Sequence, residues 1–263
     1  MMELDYIDIG VNFLEKSFAN DLDEVLKRAF ESNVNIMINT SSSIEETNKS
    51  LELIKKFPNN LYTTAGIHPH NAQSGDEYLE QNLLKLIENN GVVAIGECGL
   101  DYFRNFSPKE KQLSVFETHL EVANKSGLPL LLHQRDSHQD FVKCLKEIMK
   151  PPILGVAHCF TGTLDQMKTY IDMGLYIGIT GWICDERRNH DLLKAVKELP
   201  LDRLLIETDS PYLSPRTLKR VRRNEPKNLP HIAKKLALEM GVELSMLRHH
   251  SVENAKNLFN ISN

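Results

Sequence analysis

Short apolar runs rich in Val, Ile and Leu alternate along the chain with longer amphipathic stretches. The runs are Tyr6–Gly10, Val34–Asn39, Leu61–Ile67, Val92–Gly96, Leu128–Leu132, Ile153–Ala157, Leu175–Ile179 and Leu204–Ile206. Continuous apolar runs, rather than apolar–polar alternation, predict strands buried on both faces, as in a parallel sheet. Between them, Leu113, Phe116, Leu120 and Ala123 recur at helical spacing and give one buried face. Ser107–Pro108 reads as an N-cap followed by proline at the first helical position, and Gly127 as the stop. Asp21–Phe30, Ile44–Phe57 and Leu164–Met173 have the same character. Eight strand–helix repeats in a chain of 263 residues predict a single (β/α)8 TIM-type barrel. An open doubly wound sheet is the alternative, because strand order is not written in one sequence. No Pro/Ser/Gly-rich linker interrupts the pattern, so residues 1–263 read as a single domain.

The polar residues gather at one end of each run. Asp8, Gly10 and Asn12 lie at the end of the first run, and His68 and His70 follow the third in GIHPH. GECGLDYFR brings Glu97 and Asp101 after the fourth; LLHQRD brings His133 and Arg135 with the fifth. AHCFTG places His158 after the sixth, and IETDSPYL places Glu207 and Asp209 after the eighth. In a barrel all carboxyl ends of strands meet on the face where active sites form. Any one of these residues has a structural explanation: a hydrogen-bonded core histidine, or a carboxylate capping a turn. Carboxylates and imidazoles converging on one mouth are electrostatically costly without a cation, and they are the ligand types of hydrolytic metal sites. His119, His138, His190, His231, His249 and His250 fall in or beside the amphipathic segments and are expected to be solvated or structural. Cys159 is expected to be a thiol without a catalytic base.

Composition narrows the class without defining it. Hydrophobic residues at 41% and charged residues at 25%, with 13 Gly and 11 Pro, exclude a disordered, collagenous or coiled-coil chain. The four cysteines, at 98, 144, 159 and 184, form no CxxC pair, which argues against a disulfide framework or a Cys-rich zinc site. The first residues lack the basic head and apolar stretch of a signal peptide. The expectation is a soluble protein of the cytoplasm with no membrane partner, acting as a monomer. With 31 basic and 36 acidic residues the net charge is −5, so an anionic partner must be held locally, by a basic patch or a metal. One such patch stands out. SPRTLKRVRRNEP places Arg216, Lys219, Arg220, Arg222 and Arg223 in the last loop without an acidic residue among them. Arginine clusters suit backbone phosphates, and Phe103 and Tyr212 are candidate stacking surfaces for unpaired bases.

Together DIGVN, GIHPH, GECGLDY, LLHQRD, HCFTG, ETDSPYL and RNEP resemble the TatD family of metal-dependent deoxyribonucleases, in the amidohydrolase-like barrel superfamily. The resemblance covers nearly the whole chain in order. It implies metal ligands at Glu97, His133, His158 and Asp209, with Glu97 bridging when two ions are bound. It implies catalytic roles for Glu97, Asp209, Glu207 and His68 near the scissile phosphate, with His70, Arg135, Arg220, Arg222 and Arg223 assigned to the substrate. Most relatives carry an HxH pair where this chain has Gly10 and Asn12, which removes two imidazoles from the site. The activity implied is a magnesium-dependent 3′→5′ exonuclease on DNA, single strands or 3′ ends, with a role in repair or degradation. Asp209 is the expected proton acceptor for water acidified by the cation. Magnesium prefers all-oxygen sites, so manganese or zinc also suits a set containing histidines.

Two other classes share parts of the pattern. A barrel metallohydrolase for a small amide, lactone or phosphoester would use the same ligands without a basic loop. A carboxylated lysine often bridges metals in such enzymes, whereas here the fourth strand supplies Glu97. A non-catalytic nucleic-acid-binding protein would have no reason to keep Glu97, His133, His158 and Asp209 together.

Overall fold

The computed structural model describes residues 5–219 and 223–261. Arg220 and Arg222 lie outside the described residues. The strands are β1 (Tyr6–Val11), β2 (Val34–Asn39), β3 (Leu61–Ala65), β4 (Val92–Asp101), β5 (Leu130–Arg135), β6 (Gly155–Ala157), β7 (Tyr176–Ile179) and β8 (Leu204–Ile206). They occur in one sheet in the order β1 to β8. A parallel bridge between Val11 and Ser210 sets the end of β1 beside the segment following β8. Sequential parallel strands with intervening helices are the topology of a (β/α)8 barrel. The helices are α1 (Leu22–Glu31), α2 (Ile44–Ile54), α3 (Leu79–Leu86), α4 (Lys109–Ser126), α5 (His138–Ile148), α6 (Leu164–Asp172), α7 (His190–Val196), α8 (Leu229–Met240) and α9 (Leu244–Phe259). Among the described residues no helix is long and apolar enough to cross a membrane. All four cysteines are free thiols.

The chain divides into two compact units. One comprises Met1–Asn39, Cys159–Asp172 and Tyr176–Asn263. In it β1 pairs with β2 and β7 with β8, all parallel. Val25, Leu26 and Ala29 form the buried stripe of α1, and the Phe13 and Phe18 rings meet edge to face.

The other unit comprises Thr40–His158 with Met173–Leu175. Here β3 pairs with β4, β4 with β5 and β5 with β6, again parallel. The α2 helix begins because Ser43 accepts from Glu46 N, while the Glu46 carboxylate accepts from Ser42 N; a serine three residues before a glutamate closes both donors. Gly127 ends α4 in the left-handed conformation, φ 73°, which costs a glycine little. Phe116 of α4 and Phe141 of α5, both fully buried, stack with ring centroids 5.4 Å apart.

The start of α4 differs from the sequence expectation. The helix begins at Lys109 with Pro108 as its N-cap residue. Ser107 does not cap it; its hydroxyl donates to His70 O and accepts from Gln73 N. The serine thus ties the loop after β3 to the entrance of α4. His119 of α4 is structural: Nε2 accepts from Ile67 N at 2.9 Å and Nδ1 donates to Val115 O at 2.6 Å. Burial holds this imidazole down to about 4, so it stays neutral.

Candidate active site

The site is built from the carboxyl ends of β3, β4, β5 and β6. The β4 strand runs on through GECGLD because of two glycines. Gly99 lies opposite His133 in the β4–β5 register, and Asp101 opposite Arg135. At Gly96 and Gly99 a Cβ would collide with the carbonyls of Leu131 and His133, and their φ angles, 143° and 141°, exclude other residues. Bare β4 backbone therefore presses on β5. Glu97 and Asp101 are both buried, and both carboxylates reach the His133 ring.

Glu97 Oε1 is the centre of the cluster. It lies 2.9 Å from His133 Nδ1, 3.0 Å from His158 Nε2 and 3.2 Å from His68 Nε2. Burial alone would raise its pKa, but the surrounding imidazoles hold the carboxyl well below the usual range. His68, Glu97 and His133 each offer one ligand atom, all within 4.8 Å of one another. A buried carboxylate among imidazoles is a donor set that fits a divalent cation.

The imidazoles have different tasks. His133 Nε2 is 3.3 Å from Asp101 Oδ2, which also takes His70 Nε2 at 2.8 Å. A carboxylate accepts only, so Asp101 fixes the His133 proton on Nε2 and turns the Nδ1 lone pair toward Glu97, as a metal ligand requires. Although burial opposes it, the carboxylates of Asp101 and Glu97 on its two sides raise the His133 pKa, because the protonated ring donates to both; the ligating form is the neutral ring that has given up the Nδ1 proton and kept the one on Nε2. His68 is arranged in the opposite sense. Its Nδ1 accepts from His70 N at 3.1 Å, so the neutral ring carries its proton on Nε2 and points a donor, not a lone pair, at Glu97. Burial pushes the His68 pKa down to about 4, partly offset by the Glu97 charge. Proximity places His68 among the candidate ligands; its hydrogen bonding makes it a donor. Asp101 is itself held below the usual carboxylate range: burial raises it, but bonds from His133, His70 and Arg104 N outweigh that.

In the unit that contains β1 and β8, Asp209 has φ 52°, donates its N–H to Gly10 O at 2.8 Å and accepts from Asn12 Nδ2 at 3.0 Å. Asn12, one of the two departures from HxH, thus holds the Asp209 carboxylate. Glu207 is fully buried and accepts from Cys159 N at 2.6 Å. Its other oxygen, Oε2, occupies the space that a Cβ at position 10 would need. In this structure that room is available only because residue 10 is glycine.

Of the basic residues, Arg135 sits at the end of β5 with its guanidinium carbon 3.9 Å from the Phe103 ring centroid. Arg223 has partners within its own chain. It donates to Ser17 O, Asp21 and Glu225 and lies over the Phe18 ring at 4.6 Å. A guanidinium so engaged staples the last loop to the segment before α1, in place of the phosphate contact expected for it. Sequence reasoning named Asp101 as a strand-end residue but gave it no role, and it missed Phe106. Their signal is spacing: Asp101 is four residues after Glu97, and Phe106 lies in the same loop as Phe103.

A (β/α)8 chain with a buried carboxylate–imidazole cluster at strand ends has the architecture of a metallohydrolase barrel. The profile of the family described as TatD related DNase matches residues 7–260, and the chain belongs to that family. A protein of Erwinia tasmaniensis named 3′-5′ ssDNA/RNA exonuclease TatD is 43% identical over 257 residues, covering 97% of this chain and 99% of its own. The Escherichia coli protein of the same name is 40% identical over 258 residues, 97% and 99% of the two chains. A hydrolase TatD family protein from Entamoeba histolytica, solved by crystallography, superposes with a TM-score of 0.89 at 33% identity, covering 100% of both chains.

Proposed function

We propose that the chain is a divalent-metal-dependent 3′→5′ exonuclease acting on single-stranded nucleic acid. The observation that carries the reading is the Glu97 cluster: a buried carboxylate within 3.2 Å of three imidazoles, one of which is oriented by Asp101. Family membership and the names of the relatives support the choice of substrate. Glu97, His133 and His158 are the residues to hold the ion, joined by Asp209 at the carboxyl end of β8; magnesium is the first candidate, with manganese or zinc suited to the imidazoles. A divalent cation in such a set acidifies water and stabilises charge developing on phosphoryl oxygens. The chain's own groups supply the rest. Asp209 accepts the proton of the attacking water, His68 shares its Nε2–H between Glu97 and a phosphoryl oxygen, and His70 and Arg135 hold the strand. Glu207 fixes the start of the segment after His158 through Cys159 N.

The test is incubation of purified protein with end-labelled single-stranded DNA, with magnesium, manganese or zinc, and with EDTA. Shortening from the 3′ end with each effective metal, abolished by EDTA, is the expected result. Intact strands with all three metals would refute the reading.

A further inference from the structure

The loop from Tyr102 to Ser107, between β4 and α4, turns its backbone N–H groups and Ser107 inward and two phenyl rings outward. Asp101 Oδ1 accepts from Arg104 N at 2.7 Å, and Asn105 N reaches Asp101 O. Buried Gln112 accepts from Asp101 N at 2.8 Å and donates to Ser107 O at 2.8 Å. Ser107 in turn holds His70 O. A loop pinned at both ends by buried polar side chains presents its exposed residues in fixed positions. Those residues include two phenyl rings, Phe103 at 54% exposure and Phe106 at 64%. Each stands against the site. The Arg135 guanidinium lies over Phe103, 3.9 Å from its centroid, and Arg104 approaches the same ring at 5.7 Å. Phe106 meets the His70 ring edge to face at 4.8 Å, and His70 is bound through Asp101 to His133. Among the described residues Arg135, two positions beyond His133, is paired with no carboxylate, so its charge is available to an anion.

We propose that Phe103, Phe106 and Arg135 form the subsite for the nucleotide next to the scissile phosphate, the base stacking on the phenyl rings and its phosphate lying on the guanidinium. The chemistry favours this ligand over other anions. A small phosphoester needs the cation and Arg135 but has no use for two rings held in water. An unpaired base has a free π face, whereas a base inside a duplex has both faces covered; stacking on aromatics is how proteins hold single strands without reading sequence. The arrangement therefore selects an unpaired end. In a chain of net charge −5 it also places a cation where the strand must arrive. The inference rests on the exonuclease reading and adds to it the residues that recognise the end.

The test compares Phe103→Ala, Phe106→Ala and wild type on two substrates with manganese: a short single strand, and the same strand with the bases removed from its 3′-terminal nucleotides. On the intact strand each variant is expected to lose about 5- to 150-fold in kcat/KM, the range set by base stacking on an aromatic. On the abasic strand the variants and wild type should be equal, since no base remains to stack. Phe103→Tyr, which keeps the π face, should behave as wild type, and thermal melting shows whether each variant is folded. Equal losses on both strands, or none on either, would overturn the subsite. If wild type cleaves neither strand, the exonuclease reading fails instead.

Discussion

Replacing Asp101 by Asn removes one charge and changes nothing in volume, yet the geometry makes it costly for the cluster around Glu97. Oδ2 of Asp101 accepts from His70 Nε2 and His133 Nε2, while Oδ1 accepts from Arg104 N. A carboxylate satisfies all three donors; an amide has one acceptor oxygen and turns an N–H toward at least one of them. In a site 1% exposed, an opposed donor costs about 1–3 kcal/mol. If the oxygen stays with the histidines, Arg104 N loses its partner and the loop loosens. If it turns to Arg104 N, His133 loses the group that keeps its proton on Nε2, and Nδ1 no longer presents a lone pair. Loss of a partner that orients a ligand histidine lowers metal affinity about 10- to 100-fold, or about 1.4–2.7 kcal/mol. Calorimetric titration with manganese gives the number, with Glu97→Gln, which loses the central ligand, as the lower reference. A dissociation constant for Asp101→Asn within about twofold of wild type, well outside that range, with the Arg104 amide still protected from hydrogen exchange, would refute the tautomer argument.

Three further outcomes follow from other parts of the structure. Asp209→Asn keeps a hydrogen-bonding group beside Asn12 but removes the proton acceptor, so turnover should fall about 10²–10⁴-fold while metal affinity weakens modestly; losses in strict proportion would make Asp209 a ligand only. Burial pushes the Asp8 carboxyl up to about 8 against hydrogen bonds from Thr208 and Gly10. The folded protein thus keeps a proton that the unfolded chain has released above about pH 4, and thermal stability should decline from there through about pH 8, by about 1.4 kcal/mol per unit at most. Asp8→Asn should flatten that slope, and an unchanged slope would place the titration elsewhere. Arg223→Ala should cost about 1–3 kcal/mol in urea unfolding, since it strips charged hydrogen bonds from Asp21 and Glu225, and leave the salt dependence of single-strand binding unaltered; a slope flatter by about 0.7 would return the guanidinium to the phosphates.

The strand positions were readable because each is a continuous apolar run, and the chemistry was readable because it sits where those runs end. What escaped is instructive. The β4 run was expected to stop at Gly96, but it continues to Asp101, because a string holding Glu and Asp looks like a loop until its neighbour is known. The β5 run was expected from Leu128 and begins at Leu130, Pro129 having no N–H to offer a ladder. Local reading made Ser107 a helix cap, whereas its hydroxyl is engaged by residues 70 and 73. The partner that takes Arg223 from the solvent, Asp21, lies 202 positions away, beyond any motif or period. The same holds for Asp101: its residue type was visible, but of the two histidines it binds one lies on β5 and the other in the turn after β3.

The contact of bare backbone at Gly96 and Gly99 also has a consequence for motion. Where strands meet through side chains, a rotamer change can open a gap before any ladder bond breaks. Here nothing stands between the chains to move first, so the segment carrying Glu97 can open only by parting β4 from β5. Local fluctuations of the kind that fray loops should bypass it, and its amide hydrogens should exchange with solvent at the slow rate of the unit's core. The unit would then breathe through the 102–107 loop, around a floor that stays closed.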